Sequence, residues 1–190
     1  STIFVTGNTV IDSLKLILDR IDNDKNRRKI LENKLNALLS FNWQNEKYIL
    51  VTAHRRENFG NGFLQICTAI SRLATIYPKV HFVYPVHLNP NVIEPVNKIL
   101  NGKSNVHLIT PQNYEPFIYL LKHSYLVLTD SGGVQEEAPS LGKPVLVMRN
   151  ITERPEAVKA GTVKLVGSDS QRIIAGVSDL LDNSVNYEYM

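Results

Sequence analysis

Apolar residues in this chain follow two patterns: short unbroken runs, and stripes at three- and four-residue spacing. A run at 3–6 predicts a strand, and Gly7-Asn8-Thr9 a turn and helix cap. Val10, Ile11, Leu14, Ile17 and Leu18 then recur at helical spacing, and the polar stretch 22–24 breaks the helix. A second helix reaches about residue 39 with Ile30, Leu31, Leu35 and Leu38 on one face, and a loop covers 41–46. Beyond it, apolar runs predict strands at 48–52, 80–86, 106–109, 126–129, 145–148 and 163–166. Amphipathic stripes predict helices at 63–74, 91–100, 115–122, from 135 onward, at 155–160 and at 170–181.

Strands that alternate with helices and read as continuous apolar runs indicate an α/β fold, a parallel sheet covered on both faces. The pattern describes one domain over 1–190, with a helical segment at 1–40 leading in from a hinge and a sheet core at 47–182. Ligands of such sheets sit at the carboxyl ends of the strands. The loops to inspect are therefore 54–58, 87–89, 110–113, 130–133 and 149–154. No internal repeat or low-complexity segment is found.

The stretch 126–137, LVLTDSGGVQEE, organises the rest. Its strand runs into Asp130 and Ser131, two residue types that cap helices, then Gly132 and Gly133, which tolerate unusual backbone angles, and then a helix start. A tight turn at a helix N-terminus presents unpaired N–H groups to an anion, most often a phosphate. Glu137, one turn further on, is placed to accept hydrogen bonds from sugar hydroxyls. The residues thus read as a cradle for a nucleotide diphosphate or nucleotide sugar.

Composition alters this picture little. The chain is 43% hydrophobic and 21% charged, as expected of a globular protein, and its net charge of +3 is too small to argue for nucleic acid. The basic tract Lys25, Arg27, Arg28 and Lys29 reads as a solvated helix face. One cysteine, Cys67, excludes an intrachain disulfide and suits a reducing cytoplasm; its place in the apolar stripe reads as core. No run approaches the ~20 apolar residues of a membrane span, and the start lacks the layout of a signal peptide. The chain has no initiator Met and opens on a strand-like run, which reads as a piece of a longer protein. The five histidines show no metal spacing, and His81, His107 and His123 read as ordinary strand or helix-end residues.

Five stretches read VTGNTVID at 5–12, TAHRREN at 52–58, YPVHLNP at 84–90, TDSGGVQEE at 129–137 and TERPEAV at 152–158. In this order the chain resembles the C-terminal domain of the bacterial non-hydrolysing UDP-N-acetylglucosamine 2-epimerases. The resemblance implies a Rossmann-like domain, the C-terminal half of a two-domain glycosyltransferase-B-type fold. It implies interconversion of UDP-N-acetylglucosamine and UDP-N-acetylmannosamine by elimination and re-addition of UDP, without a nicotinamide or a catalytic metal. It places Ser131, Gly132 and Gly133 on the diphosphate, Glu137 on the ribose, Gln112 and Phe117 at uracil, and Arg154 on a further nucleotide contact. His54 matches a catalytic histidine, and Arg55 and His87 match a second, regulatory UDP-N-acetylglucosamine site. It further implies a cytoplasmic homodimer at full length, with the acidic residues that work on the C2 proton in an N-terminal domain outside this chain.

Each residue also has a plainer reading. The Gly-Gly turn serves geometry alone, His54 sits in a surface ion-pair cluster with Arg55, Arg56 and Glu57, and Phe117 is the first core residue of its helix. Asp-Ser-Gly-Gly also surrounds the nucleophilic serine of chymotrypsin-like proteases, but those are β-barrels. A glycosyltransferase donor domain, a hydrolysing 2-epimerase and a non-catalytic nucleotide-sugar sensor stay open as alternatives.

Overall fold

The computed structural model describes residues 2, 4 and 7–190, so the strand expected at 3–6 lies outside the described residues. Six parallel strands form one sheet: β1 (Tyr48–Thr52), β2 (His81–Pro85), β3 (Val106–Ile109), β4 (Leu126–Thr129), β5 (Val145–Val147) and β6 (Val163–Leu165). Their order is β3-β2-β1-β4-β5-β6, with parallel pairing throughout. The chain therefore switches direction across the sheet between β1 and β4, which opens a crevice at their carboxyl ends.

Helices α1 (Thr9–Asn23), α2 (Lys25–Leu38) and α5 (Tyr114–His123) cover one face, and α3 (Asn61–Ile76), α4 (Pro90–Leu100) and α8 (Ser170–Asp182) the other. Alternate residues of β1 show why both faces are apolar. Ile49 and Val51 pack with Phe63, Ile66, Ile70 and Val177, whereas Tyr48 and Leu50 pack with Leu14, Leu35 and Ile118. Cys67 is buried on α3, and burial pushes its thiol up to about 12, which makes it an inert core residue.

The polar break at 22–24 works through Asp24, which ends α1 and caps α2, its carboxylate accepting from the amides of Asn26 (2.9 Å) and Arg27 (3.0 Å). The basic tract that follows is only partly solvated. Arg27 forms a two-pronged pair with Glu115, and Arg28 donates to the Asp22 carbonyl at 2.8 Å, so two of the four cations fasten α2. Short helices α6 (Val134–Glu137) and α7 (Pro155–Lys159) follow β4 and β5. A last helix, α9 (Ser184–Tyr189), was not expected; it docks by stacking Tyr187 on Tyr125 at 4.2 Å.

At the amino ends of β2 and β3, His81 Nδ1 lies 3.0 Å from His107 Nε2, under a stacked Phe41 ring 3.9 Å from His81. His107 is 9% exposed, and burial, then the neighbouring His81, lowers its pKa to about 4. An unfolded histidine takes up its proton near pH 6.5, so stability is complete above that pH and is lost progressively as pH falls toward 4. We expect His107→Gln to shrink the stability difference between pH 7 and pH 4.5 by about 2 kcal/mol in urea unfolding. Parallel profiles for the two proteins would exclude the buried histidine as the cause.

Candidate functional site

The crevice between β1 and β4 is a cleft of about 330 Å³, lined among others by His54, His87, Gln112, Phe117, Ser131, Gly133 and Glu137. These residues come from four different loops and two helices, yet seven of the ten singled out in the sequence line this one cavity. The parallel ladder brings them together. Thr52 and Thr129 pair at the ends of β1 and β4, with their hydroxyls 2.5 Å apart, and the two polar loops leave the sheet side by side.

The turn after β4 differs from its expected build. Asp130 and Ser131 do not cap α6; Gly133 occupies that position at φ −63°, ψ −41°, and neither Gly132 nor Gly133 has a positive φ. Neither backbone angle requires a glycine here. Gly133 has nothing within 4 Å of where a Cβ would project, and a Cβ on Gly132 would come 3.3 Å from the Arg55 guanidinium. The Ser131 amide is spent on Thr129 Oγ1 at 2.9 Å, so the amide donors left to an anion come from the glycines rather than from Ser131. The fully buried Gln135 braces the turn, donating to the Ser131 carbonyl at 3.0 Å and accepting from Thr152 Oγ1 at 2.5 Å.

Glu137 is 7% exposed and accepts from the Tyr114 hydroxyl at 2.9 Å. Burial, then the charge of Glu136, pushes its carboxyl up, against the Tyr114 hydrogen bond. Burial, then the same contact, pushes the Tyr114 hydroxyl up to about 12. Gln112 donates Nε2 to the Thr110 carbonyl at 2.8 Å, which leaves Oε1 buried without a partner. Phe117 is half-buried: it packs on the core and also lines the cleft.

His54 and His87 stack with centroids 5.6 Å apart at 16°. Burial lowers the pKa of His54; the Asp130 carboxylate opposes this, and His87 and Arg55 add to it. Arg55 borders a second cleft of about 430 Å³, which shares His54 and His87 with the first and adds Arg56, Glu57, Phe59 and Asn89. Arg154 lines neither. Its guanidinium pairs with Glu136, whose other oxygen accepts from Asn8 Nδ2 at 2.9 Å. Glu57 is drawn out of the expected cluster by Arg149, which holds Glu57 (2.5 Å) and Glu153 (2.7 Å) together.

The family description "UDP-N-acetylglucosamine 2-epimerase" matches residues 1–190, the whole chain. The chain belongs to the UDP-N-acetylglucosamine 2-epimerase family. A Yersinia pestis UDP-N-acetylglucosamine 2-epimerase is 57% identical over 99% of this chain and 49% of its own length. The crystal structure of the Neisseria meningitidis epimerase bound to UDP-N-acetylglucosamine superposes with a TM-score of 0.92 at 52% identity, over 98% of this chain and 49% of that one. The Methanocaldococcus jannaschii epimerase in complex with UDP-N-acetylglucosamine and UDP gives 0.78 at 30% identity, over 97% and 52%. The chain spans about half the length of the curated relatives it matches.

Within this epimerase-family chain, sequence reasoning missed Tyr114, Gln135 and Arg149. Tyr114 and Arg149 act through partners remote in sequence, and Gln135 joins Ser131 to Thr152, 17 residues further on. Tyr114 lies 23 residues from Glu137 and Arg149 92 residues from Glu57, beyond the reach of local spacing rules.

Proposed function

We propose that this chain is the UDP-binding half of an enzyme that interconverts UDP-N-acetylglucosamine and UDP-N-acetylmannosamine. The reaction eliminates UDP to give 2-acetamidoglucal and adds it back with the configuration at C2 inverted, so no sugar is lost to hydrolysis. The observation that carries this reading is the single cleft lined by an aromatic ring, a buried carboxylate and the glycine turn after β4.

Phe117 offers its face to uracil. Gln112, its amide nitrogen held by the Thr110 carbonyl, lines the cleft beside Phe117 and borders the same base. Tyr114 holds one oxygen of Glu137, so the carboxylate faces the ribose hydroxyls in one orientation. The diphosphate lies over Gly132 and Gly133, whose amides meet the negative charge that grows as the C1–O bond breaks. Arg154 is already neutralised by Glu136 and holds the loop. The charge on departing UDP therefore falls to His54 and to the Arg55 guanidinium beside Gly132. His87 and Arg55 also wall the second cleft, the place for a regulatory UDP-N-acetylglucosamine. The acid–base groups acting at C2 belong to an N-terminal domain outside this chain. The whole enzyme works as a cytoplasmic homodimer.

Calorimetry with two ligands tests the assignment. Glu137→Ala should weaken UDP binding by about 1.5–3 kcal/mol, the cost of losing a charged acceptor in a partly dry site, and should leave pyrophosphate binding nearly unchanged. Equal losses for both ligands would remove Glu137 from the ribose.

A further inference from the structure

Asp130 is fully buried, and its backbone continues the sheet, its amide donating to the Thr52 carbonyl at 3.0 Å. The carboxylate thereby crosses to the loop after β1. It accepts from the amides of His54 (3.0 and 3.1 Å) and Arg55 (2.8 Å) and from Asn58 Nδ2 (3.1 Å). The burden is uneven. Oδ2 serves all three of these residues, whereas Oδ1 takes only the longer branch from the His54 amide and lies 3.6 Å from His54 Nδ1. Asn58 also donates to the Met148 carbonyl at 3.3 Å, and this fastens the far end of the same loop to the end of β5. A buried carboxylate is tolerated only where such donors replace water, and here almost every donor belongs to one loop.

From this geometry we infer that Asp130 is a positioning residue: it locks the 54–58 loop to the 130–133 turn and turns the His54 ring so that Nδ1 faces the carboxylate and Nε2 the cleft. The inference rests on the reading of His54 as the group that acts on departing UDP. Asp130 itself touches no substrate. A carboxylate beside Nδ1 selects the ring tautomer and steadies the imidazolium, so one residue sets both the place and the proton of its neighbour. The charges facing the His54 ring are those of Asp130, His87 and Arg55, and of these Asp130 alone favours the protonated ring.

The test compares wild type with Asp130→Asn, which keeps the size of the side chain and one acceptor. Histidine-selective NMR titration should move the His54 midpoint down by about half to one unit, with the His81 and His107 signals unmoved. In the full-length enzyme, kcat should fall on the order of ten- to a hundred-fold while the UDP Kd changes less than about three-fold. The limb of the pH–kcat profile that disappears in His54→Asn should shift to lower pH. An unmoved midpoint, or a parallel loss of kcat and UDP affinity, would make Asp130 a purely structural tie. Should Asp130→Asn not fold, hydrogen exchange in wild type decides. The His54 and Arg55 amides should be protected like the interior of β4, and loop-like exchange overturns the inference. Because the titration and the exchange need no turnover, they separate failure of this inference from failure of the epimerase reading.

Discussion

His54→Asn in the full-length enzyme is expected to lower kcat by roughly 10²–10⁴-fold, the usual worth of a positioned acid–base group. UDP affinity should change far less, because the proposed uracil, ribose and diphosphate contacts fall to Gln112, Phe117, Glu137 and the Gly132-Gly133 turn and not to His54. An imidazole that acts on charge developing only as UDP leaves contributes to the transition state and not to the ground state. His87→Ala supplies the contrast. Its ring stacks on His54 but also walls the second cleft, so its loss should blunt activation by UDP-N-acetylglucosamine and spare UDP binding. Allosteric coupling of roughly 1–3 kcal/mol means a rate change of up to tens-fold at low effector and little at saturation. Steady-state kinetics of both variants, with and without added UDP-N-acetylglucosamine, measure this. One shared kinetic pattern would instead describe a single continuous active-site wall.

The largest effect on stability is expected from Trp43→Ala, at about 3–5 kcal/mol in denaturant unfolding. Trp43 is 1% exposed in a segment that carries no regular secondary structure. Its indole donates to Asn36 Oδ1 at 2.8 Å and meets Tyr119 and His123 edge-on at 5.8 and 5.3 Å. It thus pins the connection from α2 into β1 against α5. Truncation removes the indole from between α2 and α5 and leaves a cavity there. A loss below about 1 kcal/mol would mean that the connection is held by Leu39 and Phe41 instead.

How legible this protein is from sequence depends on the range of the interactions. The strands were readable because parallel strands covered on both faces need unbroken apolar runs, and 48–52 and 126–129 supply them without ambiguity. The carboxyl-end rule then pointed to loops that lie together, and most of the chosen residues meet in one cleft. What failed was inference from residue type alone. Asp130 looks like a helix cap because aspartate usually caps in that setting, but its partners His54 and Arg55 lie 76 and 75 residues away. Gly132 and Gly133 look like residues for strained angles, yet neither has a positive φ. Arg154, matched to a nucleotide contact, pairs with Glu136, 18 residues earlier. The loop 41–46 gave no sign that its tryptophan is a core residue, because burial of a single aromatic has no period.

The central claim, that this chain carries the UDP half of an epimerase active site, is tested most directly by following UDP-N-acetylglucosamine by NMR with two proteins side by side. The full-length enzyme should yield UDP-N-acetylmannosamine at equilibrium with the substrate, and the 190-residue chain alone should bind UDP and yield no product. Free N-acetylmannosamine with stoichiometric UDP from the full-length enzyme would contradict the non-hydrolysing course. Turnover by the 190-residue chain at a rate comparable to the whole would contradict the division of the site between two domains.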